Sequence, residues 1–226
     1  MKSFTEYLIA ELKQSQPIDE SRRSMGRLVQ HFKNDPFVII ISVERNPRES
    51  VTSEDVDTRI KQFKQAQLAN IDNTMMFRDG LRHFQHTGYI TVNGSYVEQS
   101  YDTYGKSVDV LVKERSSIVY CTDSNKDDVF QYCKQWALKT KQQCILIIKH
   151  GKASFYYPSD NRFENVGLFY PDKIGDYYTT LYGKTNKPVK SFTFTSDRSK
   201  ISKAVAKMFN YTDADYQQYT KSKTNE

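Results

Sequence analysis

The sequence predicts an α+β fold: a single globular domain with a mixed, hairpin-containing β-sheet flanked by helices. Three observations carry that expectation. Segments with 3.6-residue apolar periodicity alternate with short β-branched runs. Turn-forming pairs such as Asn93-Gly94 and His150-Gly151 sit between apolar runs at hairpin spacing, too often for a doubly wound parallel sheet. A chain of 226 residues suits one domain and buries a sizeable core without disulfide or metal staples.

The elements follow in chain order. Ser3-x-x-Glu6 is a capping-box pattern that opens a short amphipathic helix with Phe4, Tyr7, Leu8 and Leu12, broken at residues 14–17. A second helix is expected from about Asp19 to Lys33, with Met25, Leu28, Val29 and Phe32 as its apolar stripe, ended by Asn34-Asp35-Pro36. Phe37 to Val43 is a β-branched run and the clearest buried strand. A charged loop, Glu44 to Ser50, leads to a helix from Thr52 to about Ala69 and another from Thr74 to Gln85, the latter turning Met76, Phe77, Leu81 and Phe84 inward.

Tyr89 to Val97 alternates apolar and polar around Asn93-Gly94, which marks either a hairpin or a bulge in one long strand. Val108–Val112 and Ile118–Cys121 are expected as two further strands. Ser124 to Lys139 is a helix with Val129, Phe130, Cys133, Trp136 and Ala137 on one face. Cys144–Lys149 and Ala153–Tyr157 form a hairpin about His150-Gly151. Residues 158–166 are expected as loop, Leu168–Tyr170 as an edge strand, Phe192–Thr195 as the last strand and Asp197–Phe209 as the last helix. The resulting division is residues 1–16 as an amphipathic leader, 17–209 as the domain and 210–226 as a polar, loosely ordered tail.

Hydrophobic residues make up only 38% of the chain, so the aromatic 13%, with 16 Tyr and 13 Phe, must supply much of the core. The net charge of +6 suits acidic partners, nucleic acid among them. Cys121, Cys133 and Cys144 are odd in number and unclustered, which argues against a disulfide framework or a zinc site and for a reducing compartment. The longest apolar run, Phe37–Ile41, is far too short to cross a membrane, so no membrane partner is expected. No metal and no cofactor is expected: His83 and His86 lack a third ligand, and no phosphate loop, dinucleotide fingerprint or nucleophile elbow is present. The absence of such motifs weighs against an enzyme.

Candidate ligand-binding residues are Ser42, Arg45 and Asn46, because polar side chains leaving the end of a buried strand are well placed to meet a ligand. Arg45 would clamp a phosphate or carboxylate. Arg59 belongs with them, as do Tyr96 and Glu98, which strand alternation puts on one side. A polar loop closed by a local ion pair, and an ordinary hydrogen-bonded sheet surface, are the plainer alternatives. Tyr170, Tyr177, Tyr178 and Tyr182, interleaved with Lys173 and Lys184, form a candidate stacking and phosphate surface for single-stranded nucleic acid.

The first eleven residues, Met1-Lys2-Ser3-Phe4-Thr5-Glu6-Tyr7-Leu8-Ile9-Ala10-Glu11, resemble the capsid-targeting leader of internal head proteins from T-even-type bacteriophages. Those leaders begin Met-Lys-Thr, continue through an aromatic and a short amphipathic stretch, and end Ile-Ala-Glu. One residue is added here between Tyr7 and Ile9, and Leu12 follows the Glu where the family usually has a small residue. The resemblance implies a virion protein, carried into the capsid interior by the prohead scaffold and cut by the prohead protease after Ile9-Ala10-Glu11. It would then enter the host cytoplasm with the packaged DNA and act on an unknown host protein, for instance in host-defence evasion. Loss of Met1–Glu11 removes one lysine and two glutamates and raises the net charge from +6 to +7. The alternative function is a phage-encoded enzyme or a nucleotide- or nucleic-acid-binding domain with its site near Ser42–Asn46, Arg59 and Tyr96–Glu98. Residues 37–157 also resemble a family of uncharacterised bacterial and phage proteins, through Ser42, Arg45, Asn46, Arg59, Gly88, Tyr89, Gly94, Tyr96, Glu98, Gln142 or Gln143, and the strand Cys144–Ile148. That resemblance implies no activity.

Overall fold

The computed structural model describes residues 25–52, 55–101, 106–172, 178–182 and 188–220, with only the backbone given at 48–49, 96–101, 182, 189 and 219–220. The leader and its Ile9, Ala10 and Glu11 therefore lie outside the described residues, as do Lys173, Tyr177 and Lys184.

The chain forms a closed antiparallel β-barrel of eight strands, which corrects the expectation of a mixed sheet flanked by helices. The strands are β1 (Val38–Ile41), β2 (Gly88–Tyr101), β3 (Ser107–Tyr120), β4 (Ile145–Lys149), β5 (Lys152–Tyr157), β6 (Arg162–Tyr170), β7 (Tyr178–Tyr182) and β8 (Pro188–Thr195). They are ordered β1-β3-β2-β7-β8-β6-β5-β4, and β4 pairs back onto β1 to close the ring. Closure leaves each barrel strand a partner on both sides, so no edge is exposed within the ring. Five α-helices accompany it among the described residues: α1 (Met25–Asn34), α2 (Val56–Leu81), α3 (Lys126–Lys139), α4 (Lys203–Phe209) and α5 (Asp213–Thr220).

The barrel has two apolar layers, and strand alternation separates them. Val38, Ile40, Ile90, Val92, Ile118, Ile148, Phe169, Leu181 and Phe192 form the inner layer together with Leu28, Val29 and Phe32 of α1 and Val205 and Phe209 of α4. Ile39, Ile41, Val119, Ile145 and Tyr156 form the outer layer, covered by Phe77 and Leu81 of α2 and Val129, Cys133, Trp136 and Ala137 of α3. This is why β1 is an unbroken β-branched run: all four residues are buried, two on each face. The last carbonyls of α1 are taken up by the β4–β5 turn, with Gly151 N–H donating to Phe32 O at 3.1 Å and His150 Nδ1 lying 3.0 Å from Lys33 O. The turn matches expectation, since His150 and Gly151 have φ of 50° and 73°, both positive as a type I′ turn requires.

Other elements differ from the sequence reading. The two helices expected over residues 52–85 are one helix of 26 residues, because nothing between Ala69 and Thr74 breaks a helix, and Met76 is exposed. Asn93-Gly94 turns nothing: both sit in the middle of β2, opposite Arg115 and Glu114 in an unbroken register without a bulge. Likewise Val108–Val112 and Ile118–Tyr120 belong to one strand, β3, which ends just before Cys121. The expected loop at 158–166 contains the start of β6, and Leu168–Tyr170 is an interior strand paired with β8 rather than an edge. β7 was not expected at all. The last helix is shorter, capped by the Ser202 hydroxyl accepting from Val205 N–H at 3.2 Å.

The segment expected as a loose tail carries α5, which buries Tyr216 beside Leu168 on the outside of β6. Asp215 anchors it, accepting from the Lys152 ammonium of β5 and from Thr212 N–H at 2.8 Å. Burial alone would raise the Asp215 pKa, but the hydrogen bonds from Lys152 and Thr212 outweigh it and hold the carboxyl below its usual range. A carboxylate depressed in the folded state stabilises above its unfolded pKa of about 3.9, and that contribution is lost as pH falls through the lower folded value. Asp215→Asn should therefore be less stable than the wild type near neutrality. The gap should narrow progressively below about pH 4, as read from urea midpoints across pH. A gap that stays constant into acid would remove the carboxylate from this role.

Candidate functional site

The loop that follows β1 is held from three sides. Ser42 Oγ accepts from Glu44 N–H at 3.1 Å, which turns the chain sharply out of the barrel. The Glu44 carboxylate then receives the Thr74 hydroxyl of α2 at 3.2 Å and Arg115 Nε of β3 at 3.1 Å. Its backbone carbonyl receives Gln142 Nε2, from the turn after α3, at 2.7 Å. Asn70 brackets Arg45 as a strand would: its Oδ1 accepts Arg45 N–H at 2.9 Å and its Nδ2 donates to Arg45 O at 2.7 Å. Further along, the Gln62 amide exchanges bonds with Thr52 N–H and hydroxyl at 3.0 and 3.3 Å. Glu44 is thus the junction of the loop, α2, β3 and the α3–β4 turn, and its charge is met by Arg115.

This geometry separates the predicted ligand residues. Ser42 is buried and committed to the turn, while Arg45 and Asn46 are exposed on the loop. Arg59 is exposed on α2, eleven residues before the Asn70 that holds Arg45, a rise of about 16 Å along the helix. The backbone of Tyr96 and Glu98 pairs with Val112 and Val110, whereas β1 meets β3 at Ser117. Tyr96 therefore stands about 17 Å along the ladder from the end of β1. Ser42 and Gln142, both in the second resemblance, do meet at Glu44. Asn70, Thr74 and Arg115 were not singled out from sequence. Their signal was available for two: Asn70 and Thr74 continue the stripe of Phe77 and Leu81 at helical spacing, and a polar residue on a buried stripe needs a partner.

Glu44→Ala should leave the barrel folded and release this loop. It removes the acceptor of Arg115 and Thr74, a loss of about 1.5–3 kcal/mol for a charge-assisted pair. Trypsin cleavage after Arg45 should become much faster than in the wild type, with the circular dichroism unchanged. An unchanged cleavage rate would mean Asn70 and Gln62 hold the loop alone.

Of the nucleic-acid candidates, Tyr170 ends β6 opposite Thr193, and Tyr178 begins β7 one step beyond the Thr179–Phe192 pair. The two tyrosines are thus level on either side of β8, about 10 Å apart, and half-buried. Tyr182 closes β7 opposite Pro188, with only its backbone described.

A concavity of about 320 Å³ lies where α1, the β4–β5 turn and α4 meet, lined by Lys33, Asn34, His150, Lys152, Phe209 and Asn210 among others. Its rim is cationic, but Lys152 is turned to Asp215. Burial pushes the Cys144 thiol up to about 11 and the Cys121 thiol to about 12, and raises that of fully buried Cys133 as well. All three stay protonated near neutrality and are poor nucleophiles. Among the described residues no three His, Cys, Asp or Glu side chains gather as a metal ion needs, and no helix is long and apolar enough to cross a membrane. No family model, curated protein or solved structure matches the chain.

Proposed function

We propose that this chain is an internal head protein of a T-even-type phage. Met1–Glu11 takes it into the assembling prohead by docking on the scaffold, and the prohead protease cuts after Glu11. The mature chain enters the host cytoplasm with the packaged genome, where the folded domain binds or inhibits a host factor. The observation that carries this reading is the leader ending Ile9-Ala10-Glu11.

Three features support it. Every strand of the barrel lies between Val38 and Thr195, so a cut after Glu11 removes none of them. The inner face of the barrel is filled by Phe32, Phe169 and Phe192, which favours a module acting through its surface over one that encloses a small substrate. The excess of positive charge, increased by the cut, is compatible with close packing among DNA phosphates.

The test is the N-terminal peptide of the protein in purified particles of the encoding virus, identified by mass spectrometry. A mature chain beginning at Leu12 is the expected result. An intact Met1 on a protein confined to the infected cytoplasm would reject packaging.

A further inference from the structure

β2 and β3 are far longer than the barrel needs. Each has 14 residues, yet β1 pairs with β3 only over Ser117–Tyr120 and β7 with β2 only over Val92–Ser95. Beyond those pairs Tyr96–Tyr101 and Ser107–Val112 continue as a two-stranded ribbon, about 20 Å of strand. On the far side of β3, Ser107–Arg115 pairs with no other described strand. On this stretch of β3 most side chains are exposed and several are apolar: Val108 is 36%, Val110 40% and Leu111 47% exposed, with Val112 half-buried. An isolated two-stranded ribbon is marginal in water, and an open edge with apolar residues is a template for another strand.

We propose that the occupant of this edge is the β3 edge of a second copy of this chain, so that two ribbons join into one four-stranded sheet across a two-fold axis. The strand is self-complementary in one antiparallel register. With Leu111 opposite itself, Asp109 faces Lys113 of the other copy, and by symmetry Lys113 faces its Asp109. On the opposite face, Val110 meets Val112 and Val112 meets Val110, so four valines cluster beneath the axis. Shifting the axis to Val110 puts Asp109 opposite Leu111 and Lys113 opposite Ser107, and both ion pairs are lost. Shifting it to Val112 puts Asp109 opposite Arg115 and leaves Lys113 opposite Leu111. Only the Leu111 register pairs both charges while also setting Leu111, Val110 and Val112 against apolar partners. Main-chain hydrogen bonds along the edge supply the attraction, and the charges supply the register. This inference is independent of how the protein is delivered.

Charge exchange tests it on the full chain, with mass in solution measured by sedimentation over a wide range of dilution. The wild type is expected to be a dimer that dissociates on dilution. Asp109→Lys places lysine opposite lysine, and Lys113→Asp places aspartate opposite aspartate, so each single variant should be monomeric. The combined variant restores both pairs and should dimerise again. All of these positions are exposed, so thermal unfolding of the monomer serves as the control for folding. Leu111→Cys should cross-link to its own copy under mild oxidation, against a low background because Cys121 and Cys133 are buried and Cys144 is largely covered; Ser107→Cys, opposite Arg115, should not. A wild type that stays monomeric at every concentration would overturn the proposal, whatever covers the edge. So would single variants that dimerise like the wild type, or a combined variant that fails to recover.

Discussion

Phe32→Ala is expected to destabilise the protein by about 3–5 kcal/mol, the range for deleting a fully buried aromatic ring. Phe32 is wholly buried, and its ring lies 5.5 Å from Phe169 and 5.6 Å from Phe192, each edge-on, and 6.1 Å from Phe194. These rings come from α1, β6 and β8, so one side chain ties the first described helix to strands from the far end of the chain. The hole would open inside a closed ring of strands, which cannot collapse onto it as a helix on a surface can. Against a typical total stability of about 5–15 kcal/mol, a loss of that size removes a large share. Urea unfolding should give a much lower midpoint with a similar slope. Phe163→Ala, at a ring 58% exposed, should shift the midpoint only slightly. Comparable shifts for the two would mean that α1 is not integral to the barrel core.

Among the described glycines, Gly167 is the one whose change to Ala would meet backbone rather than a side chain at close range, and Gly167→Ala should be strongly destabilising. A Cβ at this position would lie 2.5 Å from the Thr195 carbonyl carbon and 2.7 Å from its nitrogen and oxygen. These are backbone atoms of β8, and the strand cannot give way without losing its pairs. Gly167 also sits beside an irregularity in the β5–β6 ladder, where Ala153 faces Gly167 but Ser154 faces Asn165, leaving Val166 as an extra residue. Overpacking commonly costs about 1–3 kcal/mol, and a clash with fixed backbone belongs at or above the top of that range. Gly94→Ala is the matched control. Its nearest neighbour would be Glu114 O at 3.8 Å, an ordinary contact, and its φ lies outside the left-handed region, so its stability should stay within about 0.5 kcal/mol of the wild type. Equal losses at the two glycines would place the sensitivity in strand propensity rather than in the close approach to β8.

The contrast between these two glycines reflects what each level of structure controls. Gly94 had the stronger sequence signal, since Asn-Gly between alternating residues is the usual mark of a hairpin. It lies mid-strand because its neighbours on both sides pair continuously with β3, and a long ladder outweighs one local turn preference. Gly167 carried no local signal, because what makes it indispensable is Thr195, 28 positions away in the chain.

The same division runs through the candidate site. Asn70 and Thr74 were readable as polar interruptions of an apolar helix stripe, yet their partner Glu44 lies on a loop reached only through the packing of α2 on β1 and β3. Ser42, Arg45, Asn46, Arg59, Tyr96 and Glu98 shared a plausible chemistry and a place in one family resemblance. They come apart because β2 and β3 run on past the barrel and α2 runs on past the strand it covers.

The sequence by itself determined the elements whose reason for existing is local. The 3.6-residue stripe of α3, the double-faced apolar run of β1 and the His150-Gly151 turn joining β4 to β5 all satisfy their own residues' preferences within a dozen positions. Only the tertiary structure decided that the strands close into a ring, that β7 exists, that β2 and β3 are single long strands and that α5 docks through Tyr216. A strand's alternation is the same in an open sheet and a barrel. What distinguishes them is hydrogen bonding between residues far apart in the chain, as when Val38 of β1 pairs on one side with Tyr120 and on the other with Ile148.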